Sequence, residues 1–125
     1  METSIDKLKK YNLCYVATPY SRYPGGIEKA YQAACALCAQ LLLAGVKVFS
    51  PIAHSHGIAV HGKLDPLDHK IWLPFDEAVM QASNALLVAK MKTWEVSYGI
   101  DKEIEWFAAK NKPVHFLDPI TFEVE

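Results

Sequence analysis

Two unbroken apolar stretches, Leu13-Cys14-Tyr15-Val16-Ala17 and Ala85-Leu86-Leu87-Val88-Ala89, constrain this chain more than anything else in it. Each is too short for a buried helix and lacks the polar alternation of a strand with one face in water. Such a run reads as a strand covered on both faces, the condition of strands in a parallel sheet flanked by helices. Val46-Lys47-Val48-Phe49 and Val114-His115-Phe116-Leu117 read as two more strands, the first ended by Ser50-Pro51. Helices are predicted from Ile27 to Ala44, stopped by Gly45, from Leu73 to Ala82, and from Tyr98 to Lys110.

Strands that alternate with helices argue for α/β architecture. The prediction is one three-layer, flavodoxin-like or Rossmann-like domain over residues 1–125, with a four- or five-stranded parallel sheet. The fifth strand would lie in the tail. Residues 1–10 are polar and read as peripheral. Residues 50–74 hold four of the five histidines and resist assignment; they are expected to form a lid, a binding loop or a partly helical excursion. In open sheets of this kind ligands sit outside the carboxyl ends of the strands. That points to three segments: Thr18–Gly26, Ser50–His61 and Met91–Gly99.

At 125 residues with a net charge of −1 and no long Lys/Arg block, the chain is not expected to bind polymeric nucleic acid through a basic face. Cys35 and Cys38 are spaced as C-x-x-C but fall in mid-helix, where they read as apolar fillers rather than a redox pair. No signal peptide and no membrane-length apolar run is visible, so no membrane partner and a reduced, cytoplasmic setting are expected.

Neither G-x-G-x-x-G nor a Walker A motif is present. Thr18, Tyr20, Ser21 and Arg22 follow the first strand and carry groups that can bond a phosphate or a sugar. They also make an ordinary proline turn. His54-x-His56, at a strand end, suits hydrogen bonding to a ligand; with His61, Asp65, Asp68 and His69 downstream, it also suits a metal. Asp76 and Glu77 open a helix, where carboxylates are favoured by the macrodipole, but a buried Asp near a second acid could hold a proton for donation. In Trp94-x-x-Ser97-x-Gly99-x-x-x-Glu103, a strand empties into a turn whose backbone N–H groups would meet an anion, and Glu103 follows one helical turn later. Ser97 as a plain N-cap and Glu103 as a solvated helix charge is the competing reading.

Tyr15-Val16-Ala17-Thr18-Pro19-Tyr20-Ser21, the Asp76 helix and Ser97-x-Gly99-x-x-x-Glu103 together resemble the nucleoside 2-deoxyribosyltransferase-like superfamily, in particular its short bacterial and phage branch. The resemblance spans roughly residues 13–117 and includes similarity to the nucleotide N-glycoside hydrolases. It implies Glu103 as the nucleophile on the anomeric carbon and Tyr15 as the residue that orients it, with Tyr20 a rival for that role. It implies Asp76 as the acid that assists the leaving base. Ser97 and Gly99 would bind a 5′-phosphate, helped by Thr18 and Ser21; Tyr20 and Trp94 lie in the same motifs, and His54 and His56, read from their place in the chain alone, complete the expected substrate-binding set. It further implies no metal or organic cofactor and a homodimer or higher homo-oligomer. Asn84 stands where relatives often carry Asp, and the His54/His56 loop lies outside the superfamily's motif set.

The expected activity is therefore N-glycosidic bond cleavage or transfer on a nucleoside or nucleoside 5′-monophosphate, with the monophosphate and hydrolysis preferred. Two readings compete with it: a nucleotide-sensing module that binds without turnover, and a metal-dependent hydrolase built on His54 and His56.

Overall fold

The order of the sheet follows from the pattern of apolar runs, and a computed structural model describes it for residues 4–125. Strands β1 (Cys14–Ala17), β2 (Val48–Phe49), β3 (Ala85–Ala89) and β4 (Val114–Leu117) form one parallel sheet in the order β2-β1-β3-β4. Every residue of β1 and β3 is buried, as their unbroken apolar composition requires. Chain direction across the sheet reverses at β1, so the carboxyl ends of β1 and β3 flank the switch point. The sheet has four strands. The tail adds a single antiparallel bridge, Leu117 to Val124, instead of a fifth strand.

Alternation along the strands divides the core in two. Cys14, Val16, Leu87 and Ala89 turn toward Leu37, Cys38 and Leu41 of helix α1 (Ile27–Leu43). Tyr15, Ala17, Leu86 and Val88 turn the other way, toward Met80 of α3 (His69–Ala82) and Ile100 and Phe107 of α4 (Tyr98–Ala109). These are the three layers. Cys14, Cys35 and Cys38 are free thiols, and burial pushes those of Cys14 and Cys38 up to about 11, so they behave as apolar fillers at neutral pH.

The helix ends carry their own signals. Gly45, at φ 91°, closes α1 with paired bonds from Val46 N–H to Leu41 O and from Gly45 N–H to Leu42 O, both 3.0 Å. Residues 50–74 are largely helical. Ser50 caps helix α2 (Pro51–Gly62), its Oγ accepting from Ala53 N–H at 3.0 Å, with Pro51 in the first turn. Ser50-Pro51 thus ends one element and starts the next. Helix α3 begins four residues before the expected Leu73, capped by Asp68, and carries Pro74 inside it. At the amino end, Ser4–Leu8 forms a short 3-10 helix whose Leu8 is fully buried, so this segment belongs partly to the core and not only to the periphery. Met1–Thr3 lie outside the described residues.

Lys112 caps the carboxyl end of α3 from outside the helix. Its Nζ donates to the carbonyls of Met80 (3.0 Å), Gln81 (2.8 Å) and Ser83 (2.7 Å), the open end of α3. Lys112→Met keeps the aliphatic stem and abandons those acceptors. It is expected to cost about 1–3 kcal/mol in urea unfolding, and no loss would overturn this assignment.

Candidate active site

Three elements bring the site together. The carboxyl end of β1 presents Tyr15 and Thr18, and the turn beyond it presents Tyr20 and Ser21. Helix α3 presents Asp76, while the first turns of α4 present Ser97, Gly99 and Glu103. All eight line one cavity of about 740 Å³, a size that suits a nucleotide. The amino end of α2 (Pro51, Ile52, Ser55) and the α2–α3 region (Leu67, His69, Trp72) close the rest of the wall.

At the centre, the polar atoms are buried but poorly paired. Tyr15 Oη, Thr18 Oγ1 and Asp76 Oδ1 have no hydrogen-bond partner among the described residues. Buried polar atoms are nearly always bonded, so three such atoms on one cavity wall mark a surface built for something polar. Tyr15 lies near enough to Glu103 to hold the carboxyl's pKa down, yet no bond of full geometry closes between them. The Tyr15 ring is wedged between Phe49 and Phe107, with both centroids at 6.0 Å, which fixes where its hydroxyl points.

The two acids are both shifted upward. Glu103 is half-buried, and its carboxyl is pushed up to about 8, with burial the largest cause. Within that net value the Tyr15 hydroxyl pulls down and the charge of Asp76 pushes up. Asp76 is pushed up to about 6 by burial. Since each acid resists ionisation while the other is charged, they titrate as a pair, and near neutral pH the pair holds about one proton. The Tyr15 hydroxyl is pushed up by burial and by both acids, so it stays protonated.

Tyr20 is not a second Tyr15. Its Oη lies 2.6 Å from His56 Nδ1, and His56 Nε2 lies 2.8 Å from Glu28 Oε2. Tyr15 alone is therefore placed to orient Glu103. Ser97 caps α4, its Oγ accepting from Ile100 N–H at 3.4 Å, and helix geometry leaves the N–H groups of Tyr98 and Gly99 without intrahelical acceptors. An added Cβ at Gly99 would meet nothing within 4 Å, so that position faces open space. Ser97→Ala is expected to lower stability by about 0.5–1 kcal/mol, read by thermal or urea unfolding; an unchanged value would mean the long bond contributes nothing.

Three residues expected at the substrate are not in the cavity wall. His54-x-His56 sits within α2, not at a strand end. Side chains two apart on a helix point in nearly opposite directions, so the imidazoles diverge. His54 stacks on Phe75 at 4.7 Å, while His56 stacks on Tyr31 at 4.4 Å and is 2% exposed. Among the described residues, no three His, Cys, Asp or Glu side chains converge as a metal site. Trp94 packs on Phe116, with centroids 5.7 Å apart, and supports the sheet. Arg22 is exposed and outside the cavity wall. Asn84 pairs with Leu13 through both backbone and side chain at the amino end of β3, away from the site. Trp72, Trp106 and Lys102 line the cavity without having been singled out. For the two tryptophans the signal was helical spacing: Trp72 stands one turn before Asp76, and Trp106 one turn after Glu103.

No helix among the described residues is long and apolar enough to cross a membrane. No curated protein matches the chain. A family model does, over residues 12–118, from just before β1 to just past β4. The chain therefore belongs to the family described as domain of unknown function DUF1937.

Proposed function

We propose that this protein breaks the N-glycosidic bond of a nucleoside 5′-monophosphate, and that the chain falls within the nucleoside 2-deoxyribosyltransferase-like superfamily it resembles. The observation that carries this reading is the meeting of Glu103, Asp76 and the unpaired Tyr15 hydroxyl in one nucleotide-sized cavity at the α4 amino end. A helix terminus with Ser97 and Lys102 beside it suits a phosphate, and two acids that share one proton suit glycosidic chemistry.

In this reading the Glu103 carboxylate attacks the anomeric carbon as the bond to the base nitrogen breaks. The bonding pair leaves with the base, which takes a proton from Asp76. Water then attacks the same carbon, gives its proton to Asp76 and releases Glu103; a second base in place of water gives transfer. The resting preference is the reverse, with the proton on Glu103. Positive charge growing at the anomeric carbon favours ionised Glu103 and moves the proton to Asp76 when it is needed. Tyr15 supports that shift by donating to the carboxylate. A second subunit is part of the proposal, since the superfamily's sites are completed by a neighbour.

The raised Glu103 also supports a sensing module, in which a neutral carboxyl bonds a ligand without attacking it. One assay separates them. Nucleosides and nucleoside monophosphates are incubated with the protein and free base is followed by chromatography. Release from a monophosphate supports the proposal; binding with no release from any member of the panel supports sensing.

A further inference from the structure

The Glu28–His56–Tyr20 chain has no part in the chemistry above, yet it ends on the cavity wall. Glu28 stands in the first turn of α1, His56 in α2 and Tyr20 in the turn after β1, so three separate elements were brought into one line. The His56 ring is 2% exposed, clamped face to face against Tyr31 at 22° between planes, and cannot turn to other partners. Glu28 Oε1 is held in turn by Gln32 at 3.3 Å.

The direction of the chain follows from what each group can do. An ionised carboxylate only accepts, so the ring nitrogen facing Glu28 must carry the hydrogen. That fixes His56, as a neutral ring, with hydrogen on Nε2 and a bare Nδ1. A hydrogen on Nδ1 would instead set two lone pairs against each other at 2.8 Å. Bare Nδ1 accepts, so Tyr20 donates to it over the 2.6 Å contact. The phenol has one hydrogen and has used it. To a ligand in the cavity that Tyr20 lines, its oxygen would offer only a lone pair.

Resting on the reading of the cavity as a nucleotide site, we infer that Glu28 and His56 are positioning residues that turn Tyr20 into a fixed acceptor, which selects a ligand hydroxyl on the sugar. A phenol free to rotate would bond donors and acceptors alike. One whose hydrogen is committed bonds donors only, and a phosphate oxygen is repelled. Tyr20 thus becomes a specificity-determining residue, and the anion is left to the α4 terminus.

Two measurements test this. Long-range proton–nitrogen NMR on the free wild-type protein at mildly alkaline pH should show His56 Nε2 protonated and Nδ1 bare. Glu28→Leu, at an exposed position, should blur that preference, a change that a merely structural role would not produce. Hydrogen on Nδ1, or a ring that stays doubly protonated, overturns the inference whatever the protein binds.

The second measurement is calorimetric titration with adenosine 5′-monophosphate and its 2′-deoxy and 3′-deoxy forms. One deoxy form should bind about tenfold more weakly than the parent. Tyr20→Phe should lose the same factor with the parent and nothing further with that deoxy form. Equal loss with all three probes, or no hydroxyl preference in the wild type, overturns the inference but leaves the nucleotide site standing. Failure of all three probes to bind sinks the nucleotide reading and the inference with it.

Discussion

Glu103→Gln is expected to slow base release by on the order of 10^3-fold or more while nucleotide binding stays nearly unchanged. The amide keeps the shape of the carboxyl and its contact with Tyr15, and loses only the charge that would meet the anomeric carbon. Single-turnover kinetics read the first effect and direct titration the second. Asp76→Asn offers a contrast. Its defect should shrink with a substrate whose base departs easily without a proton, whereas the Glu103→Gln defect should not. A Gln variant with wild-type turnover removes Glu103 from the chemistry; equal rescue of both variants by the easy leaving group removes the division of labour.

Stability is expected to fall as pH rises from about 4 to about 8. In the unfolded chain Asp76 and Glu103 ionise near their ordinary values of 3.8 and 4.5; in the folded chain they hold protons until about 6 and about 8. Between those limits the folded state binds more protons than the unfolded state, so raising the pH favours unfolding. The contribution is complete below the ordinary values and is lost as pH passes through the folded ones. Urea unfolding of wild type and of the Asp76→Asn/Glu103→Gln double variant, at about pH 5 and about pH 8.5, isolates it from other titrations. The wild type should lose up to a few kcal/mol more than the variant over this range. Parallel curves would show that the two acids are not buried as described. The same slope is the cost of keeping two acids ready in a half-enclosed site, a pattern found where function opposes stability.

Much of the fold was legible because burial on both faces leaves no room for polar residues. The runs at 13–17 and 85–89 could hardly be anything but central strands, and the helices that flank them followed from Gly45 and Ser97. Helix α2 was hidden by its composition. Gly57, Gly62 and three histidines weaken any helical signal, and Ser50-Pro51 serves equally as a strand terminator and a helix start. Only the second meaning explains the Ser50 cap. Pro74 hid the first turn of α3 in the same way. In the site, Tyr15, Asp76 and Glu103 were visible singly, as residues of suitable chemistry at suitable ends of elements. Their meeting in one site was implied by the resemblance and by no local signal, and the Glu28–His56 pair was not legible at all, since Glu28 is an exposed helix-start carboxylate with no periodic signal. Distances of that kind are products of the fold and leave no local trace.

Strand β1 turns Cys14 and Val16 to the α1 side and Tyr15 and Ala17 to the side of the cavity. Neighbouring codons of the gene therefore answer to different demands. In a saturation library over these four positions, substitutions at 14 and 16 would register as lost protein abundance. Phenylalanine at 15 would leave abundance intact and register only in an assay of catalysis or binding. For directed evolution, the fully buried Cys14, Val16 and Ala17 would set how much protein a cell holds, and the hydroxyl of Tyr15 what each molecule can do.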